Sequence, residues 1–288
     1  MIAPPSRRTL IALLALLALA VGAADADPRK RQKEKKKKAR QQSAQTQEPK
    51  TDGSSEGSSA SLPPALEPPA EIAAVSRKLW AWETAEARKA LETGDLAGPQ
   101  ADSAWGRVLF QEQRLAEAAD RLRAAAAAAK DDPEPLIQLG ETLRTQGDSA
   151  GATQAFRDAV TRAQALVDAY PGNPRALYHL GMGRLWAGDV EGAVTALEKA
   201  REKAPGDPLV HYHLGLARAS QERWSDTVAH LDEALKGNDG IALAYYYRGL
   251  AQSRLGRKDL MVADLERFLK LAPNSPEAPK ARRILGGV

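Results

Sequence analysis

The chain has no cysteine. That excludes a disulfide framework, a thiolate zinc site and a cysteine nucleophile. Aromatic residues are only 5% of its 288 residues. A core must therefore be built from alanine and leucine, which suit close helix–helix packing. Catalytic signatures are also missing: there is no Gly-rich phosphate loop, no HExxH and no nucleophile elbow around a serine. No catalytic residue, and no cofactor, can be named from the sequence. Long apolar runs are absent too. The longest uncharged stretch, Thr9 to Ala24, covers 16 residues, short of the roughly 20 that span a bilayer.

Charge is unevenly placed. The formal net charge is +4, but residues 27–50 hold ten Lys/Arg against three Asp/Glu, a local +7. Residues 1–26 add +1, from Arg7, Arg8 and Asp25, which leaves −4 for the remainder. Arg7 and Arg8, the apolar stretch and Ala24-Asp25-Ala26 predict a cleaved signal peptide over residues 1–26, with a mature start at Asp27. Gly22-Ala23-Ala24 is a second cleavage option. The arginine pair fits either a Sec leader or a twin-arginine leader. Cleavage would make the protein periplasmic or secreted. The alternative is an uncleaved inner-membrane anchor, because positive charge beside an apolar segment tends to stay cytoplasmic.

Residues 27–69 are rich in Gln, Lys, Ser, Gly, Glu and Pro and poor in large apolar residues. Such a segment cannot offset the entropy of ordering and is expected to be a disordered linker. Its basic tract, Arg29, Lys30, Arg31, Lys33, Lys35, Lys36, Lys37, Lys38 and Arg40, could contact anionic lipid or polysaccharide. The plainer reading is a solvated spacer. No aromatic interleaves these charges, so specific nucleic-acid binding has no support. From Glu71 to Thr93, Ile72, Val75, Leu79, Trp82 and Ala90 recur at helical spacing. They predict one N-terminal capping helix, or a degenerate half-repeat, within residues 70–98, with Trp80 off its main stripe.

The body of the chain repeats. Gly106, Gly140, Gly181, Gly215 and Gly249 are spaced by 34, 41, 34 and 34 residues, the period of a helix–turn–helix unit. Sixteen residues after each glycine stands Leu122, Phe156, Leu197, Leu231 or Leu265. The unit beginning at Pro174 is the most complete. Counting Pro174 as position 1, Leu177, Leu180, Gly181, Ala193, Leu197, Ala200 and Pro205 fall at positions 4, 7, 8, 20, 24, 27 and 32. This pattern resembles the tetratricopeptide repeat. In that pattern, Gly at 8 and Ala at 20 let two helices approach, the large residues fill the layer between them, and the proline stops the second helix.

The resemblance covers residues 99–275 as five units: 99–132, 133–173, 174–207, 208–241 and 242–275. It implies an all-α, right-handed superhelical solenoid, with residues 276–288 as a C-terminal capping helix. The 41-residue unit carries seven extra residues in its second helix, expected to run from about Asp148 to Tyr170. They predict either a projecting ledge or a harmless change of length. In the fifth unit Met261 and Phe268 replace the two alanines, which implies a wider helix pair.

The family lines its concave groove with positions 2, 5, 6, 9 and 13 of the first helix. Carried onto the last three units, positions 2, 5, 6 and 9 give Arg175, Tyr178, His179, Met182, Leu209, Tyr212, His213, Leu216, Leu243, Tyr246, Tyr247 and Leu250. This stripe is aromatic and apolar with polar tips, suited to a peptide or an amphipathic helix. The first two units present Ser103, Arg107, Gln138 and Glu141, a wetter surface. His179 and His213 occupy equivalent positions, but no acidic ligand stands with them at a metal spacing, so no metal site is expected. The resemblance implies a non-catalytic protein–protein interaction scaffold with one or more protein partners. With the leader, it implies a place in a bacterial cell envelope. The alternative is a membrane-anchored adaptor facing the cytoplasm, its basic tract on anionic lipid.

Overall fold

The computed structural model describes residues 67–94 and 96–287. The expected leader, and the basic tract from Arg29 to Arg40, lie outside the described residues. Among the described residues there are thirteen helices and no strand. They are α1 (Ala70–Trp80), α2 (Thr84–Thr93), α3 (Pro99–Gln111), α4 (Leu115–Ala128), α5 (Glu134–Gln146), α6 (Ser149–Ala169), α7 (Pro174–Trp186), α8 (Val190–Lys203), α9 (Pro208–Ser220), α10 (Trp224–Gly237), α11 (Ala242–Arg254), α12 (Lys258–Leu271) and α13 (Ala278–Leu285). Consecutive helices pack as antiparallel pairs, and the pairs stack into an all-α solenoid.

Local chemistry sets the helix starts. Pro99, Pro174 and Pro208 open α3, α7 and α9, where a missing N–H costs nothing. Asn173 Oδ1 accepts from the backbone N–H of Arg175 and Ala176 at 2.9 and 3.0 Å. Asp207 caps α9 in the same way. Asp148 and Asp189 cap α6 and α8 through Gly151 and Gly192.

The first helix pair corrects one expectation. Residues 70–98 hold two helices, α1 and α2, rather than one capping helix. The chain turns at Trp82, whose φ is +59°. The apolar stripe carries on through Leu79 and Trp82 without a glycine or proline, so nothing in the pattern marks the break. Five other turns have the same form, with a positive φ at Gln113, Gly147, Gly188, Glu222 and Gly256. In all six the following N–H donates five residues back. Examples are Glu83 N–H to Lys78 O, Arg114 N–H to Leu109 O and Asp189 N–H to Arg184 O, each at 2.9 Å. This closure satisfies carbonyls that the helix end leaves open. Spacings of 31, 34, 41, 34 and 34 residues along that row make the α1–α2 pair a shortened sixth unit.

The glycine row marks the closest approach within each pair. A Cβ on Gly106 would lie 2.5 Å from Leu122 Cγ, and one on Gly181 would lie 2.5 Å from Leu197 Cγ. Gly140 faces the Phe156 ring. The gap opens toward the C-terminus, to 2.8 Å at Gly215 against Leu231 and 3.2 Å at Gly249 against Asp264 Cβ. Buried Met261 and Phe268 account for the wider last pair. Ala278 and Ala281 of α13 join Leu265, Phe268 and Ala272 in one apolar cluster, so α13 covers the end of the array.

Neighbouring units are also tied by arginines. Arg184 donates to Gln164 Oε1 at 3.1 Å, Arg218 pairs with Glu198 at 3.0 Å and Arg248 with Asp232 at 2.8 Å. The extra residues make α6 21 residues long, against 14 for α4, α8, α10 and α12. Its buried stripe runs from Ala152 through Phe156 and Ala163 to Leu166, so the added turns are packed. Arg162 Nη1 donates to the carbonyls of Ala126, Ala129 and Asp132 at 3.0, 2.8 and 3.1 Å. It thereby caps the end of α4.

One contact leaves the neighbour-to-neighbour pattern. The α1–α2 turn meets the far units. Trp80 packs edge-on against Tyr212 of α9, with ring centroids 5.6 Å apart. Trp82 joins the apolar cluster that contains Leu243 and Tyr247 of α11.

Candidate peptide-binding groove

First helices of successive units, α3, α5, α7, α9 and α11, line the concave face. The α1–α2 turn divides that face. On one side is an open groove of about 740 Å³. On the other is an inner cavity of about 160 Å³. Trp80, Arg107, Gln138, Glu141 and His213 border both.

The structure brings six of the twelve expected groove residues to the open groove: Arg175, Tyr178, His179, Met182, Leu209 and His213. Tyr212, Leu243 and Tyr247 line the inner cavity, with His213 shared. Leu216 and Tyr246 are each 2% exposed and lie in the core. Tyr246 packs on Phe268 with centroids 5.1 Å apart. Leu250 is half-buried against the C-terminal apolar cluster.

The open groove has an ordered aromatic floor. Tyr178 stands edge-to-face with His179 and His213, at 5.4 and 5.3 Å. Its hydroxyl reaches Met182 Sδ at 3.5 Å. His213 Nδ1–H donates to Leu209 O at 2.9 Å. Arg175 Nε–H donates to His179 Nε2 at 3.3 Å, which puts the proton of that ring on Nδ1, where it has no partner in the protein. Burial pushes both imidazoles down to about 4, so they are neutral near pH 7. Burial likewise raises the Tyr178 hydroxyl well above its ordinary range.

The rim is charged. Arg175 pairs with Glu134 at 3.5 Å. Burial pushes the Glu134 carboxyl up, but His179, Arg175 and Arg107 outweigh it and hold it below the ordinary value. Gln138 Nε2 donates to Glu134 Oε1 at 3.0 Å, and Ser103 Oγ donates to Gln138 Oε1 at 3.0 Å. A neutral aromatic floor with charged edges can bury an apolar side chain and hydrogen-bond a peptide backbone. It holds no nucleophile paired with a base. Among the described residues no group of three or more His, Asp or Glu stands together as a metal site.

Trp80, Arg77 and Asp207 also border the groove and were not expected there. A signal for Trp80 did exist. Counting the first unit from Pro68 puts Ala87 at position 20 and Leu91 at 24, both buried, and Trp80 at 13, one of the groove positions.

Tetratricopeptide repeat models match residues 103–164, 144–208 and 184–239, and a further one matches 243–275. Together they cover more than half of the chain. Among solved structures, the chain is similar to TTC0263, a thermophilic TPR protein of Thermus thermophilus. The identity is 20% and the TM-score 0.51, over 65% of this chain and 99% of that one. It is also similar to MamA of Desulfovibrio magneticus RS-1, at 22% identity and a TM-score of 0.38 over 62% and 97% of the two chains. A third is YrrB, a TPR protein with an unusual peptide-binding site, at 15% identity and a TM-score of 0.37 over 64% and 91%. No curated protein matches the chain. With the repeat models spanning its stacked helix pairs, the chain belongs to the tetratricopeptide repeat family.

Proposed function

We propose that the protein is a non-catalytic protein-interaction scaffold that holds a short peptide or helix of its partner in the open groove. The observation that carries this is the aromatic floor of Tyr178, His179 and His213 beside half-buried Leu209 and Arg175. The leader and the basic tract support export to the cell envelope on a tether. The same tract directly after the apolar stretch supports the anchored alternative. The N-terminus of protein recovered from cells decides between them: a start at Asp27 in an exported fraction supports export, and an intact leader supports the anchor.

The groove is tested by phage-display selection of peptides on the full chain, followed by affinity measurement. Leu209→Glu adds a charge on the groove at the second position of α9, where a helix tolerates an acidic residue. It should weaken the selected peptides at least tenfold. Leu260→Glu, on an exposed leucine of α12, should leave them unchanged. Peptides that bind Leu209→Glu with full affinity would remove the groove from the proposal.

A further inference from the structure

The concave face already has an occupant, and it is part of this chain. At the α1–α2 turn, the Arg107 guanidinium lies 4.6 Å from the centroid of the Trp80 ring. Tyr212 and His213 meet the same ring edge-on at 5.6 and 6.2 Å. One residue on, Ala81 faces Gly240: a Cβ added there would lie 3.4 Å from Ala81 Cβ. An indole in this seat has a cation over it and aromatic edges beside it, a combination that favours aromatic ligands.

Two further observations mark the seat as one that can empty. Within a solenoid each unit packs on its neighbours, and curvature follows from small rotations per unit. The contact from Trp80 to Tyr212 and His213 crosses the array, so slight opening at each interface would free those two edges while Arg107 and Gln111 of α3 kept the turn packed on its neighbour. Behind the turn, Trp186 borders the inner cavity, and its Nε1–H is buried without a hydrogen-bond partner in the protein. A donor thus stands ready on the wall that the turn closes off.

We propose that the α1–α2 turn is a displaceable plug, and that the partner is a peptide bearing a tryptophan that takes the Trp80 seat as the solenoid opens. This partner chemistry rests on the groove proposed above and goes beyond it by naming the side chain and the intramolecular competitor. A tethered competitor acts at an effective concentration near millimolar. Free peptide should therefore bind poorly until the plug is removed.

The test uses the full chain and a labelled synthetic peptide with the sequence of residues 76–86, followed by fluorescence anisotropy. The Trp80→Ala/Trp82→Ala variant should bind this peptide at least tenfold more tightly than the unaltered chain does. The same peptide with both tryptophans replaced by alanine should not bind. Equal binding to both proteins, or none to a variant that retains its helical circular dichroism, would overturn the plug. A second arm removes no side chain from the seat. Because the chain lacks cysteine, Ala81→Cys/Gly240→Cys introduces a single pair, near the roughly 3.5–4.5 Å Cβ separation of a disulfide. Mild oxidation should close it within one molecule. The closed form should bind the display-selected peptides at least tenfold more weakly than the reduced form. No disulfide, or equal affinity in both forms, would refute the plug while leaving the Leu209→Glu result to judge the groove.

Discussion

Replacing the five row glycines with alanine, one at a time, tests whether helix approach sets the packing. Alanine in place of glycine within a helix gains about 1 kcal/mol of intrinsic propensity. Forcing a methyl into a filled layer costs about 1–3 kcal/mol. Which effect wins depends on the gap. At Gly181 the new Cβ would sit 2.5 Å from Leu197 Cγ and 3.2 Å from the Leu197 backbone nitrogen. The side chain would have to move, and the backbone limits how far. Gly106 faces Leu122 at the same distance, and Gly140 faces a ring that cannot fold away. These three variants should lose up to about 2 kcal/mol net. At Gly249 the nearest atoms stand at 3.2 and 3.3 Å, so relaxation of a few tenths of an ångström suffices. Gly249→Ala should fall within about 0.5 kcal/mol of neutral, with Gly215→Ala between. Urea unfolding followed by circular dichroism gives the order, read at constant slope. Native-state hydrogen exchange then assigns each loss to its own unit. If Gly249→Ala costs as much as Gly181→Ala, helix approach is not what the row encodes.

Exposed Gln113 and Glu222 hold positive φ values of 62° and 57°, where a side chain costs about 1–2 kcal/mol. Gln113→Gly and Glu222→Gly should each raise stability by about 0.5–1 kcal/mol after glycine's extra unfolded entropy is counted; an unchanged urea midpoint would refute this. Arg162→Ala removes the donor to three carbonyls at the end of α4 and in the loop after it, those of Ala126, Ala129 and Asp132, and should cost about 1.5–3 kcal/mol. Amide protection should then fall first at the end of α4, and uniform loss along the chain would count against a local cap. His213 supplies a pH signature. Burial lowers its pKa from 6.5 to about 4, so the unfolded chain takes up the proton first. Stability is complete above about 6.5 and is lost as pH falls toward 4, by up to about 3 kcal/mol. Asp132 and Glu141, raised by burial, act with the opposite sign. The readout is therefore the difference between the unaltered chain and His213→Gln across pH 7 to 4. That gap should narrow as pH falls, and a constant gap would refute a buried neutral imidazole.

Local pattern carries the repeat well and the assembled face poorly. Gly181 facing Leu197 and the 21-residue α6 follow from spacings that are visible in the chain. The break at Trp82 does not, because a tryptophan there adopts a backbone conformation that usually announces itself as glycine. Its neighbours keep a helical stripe on both sides. Groove residues show the same limit. Helix periodicity puts Tyr178, Tyr212 and Tyr246 on equivalent faces. Their surroundings differ because the α1–α2 turn arrives between them from roughly a hundred or more residues away. Tyr178 borders an open groove, Tyr212 sits under Trp80, and Tyr246 is sealed by Phe268. Tertiary placement of that kind depends on accumulated curvature, which no single unit encodes.

The lengthened α6 shows how such an array can change length without changing phase. Seven residues advance a helix by nearly two full revolutions, leaving a rotation of only about 20°. Ala163 and Leu166 therefore come back to the side already occupied by Ala152 and Phe156, and α7 still finds an apolar surface. Five added residues would have rotated the stripe by roughly 140° and turned it to solvent. An excision of seven residues from α6 should thus restore a uniform 34-residue spacing and keep the packing sides. An excision of five should unseat α7 and everything after it.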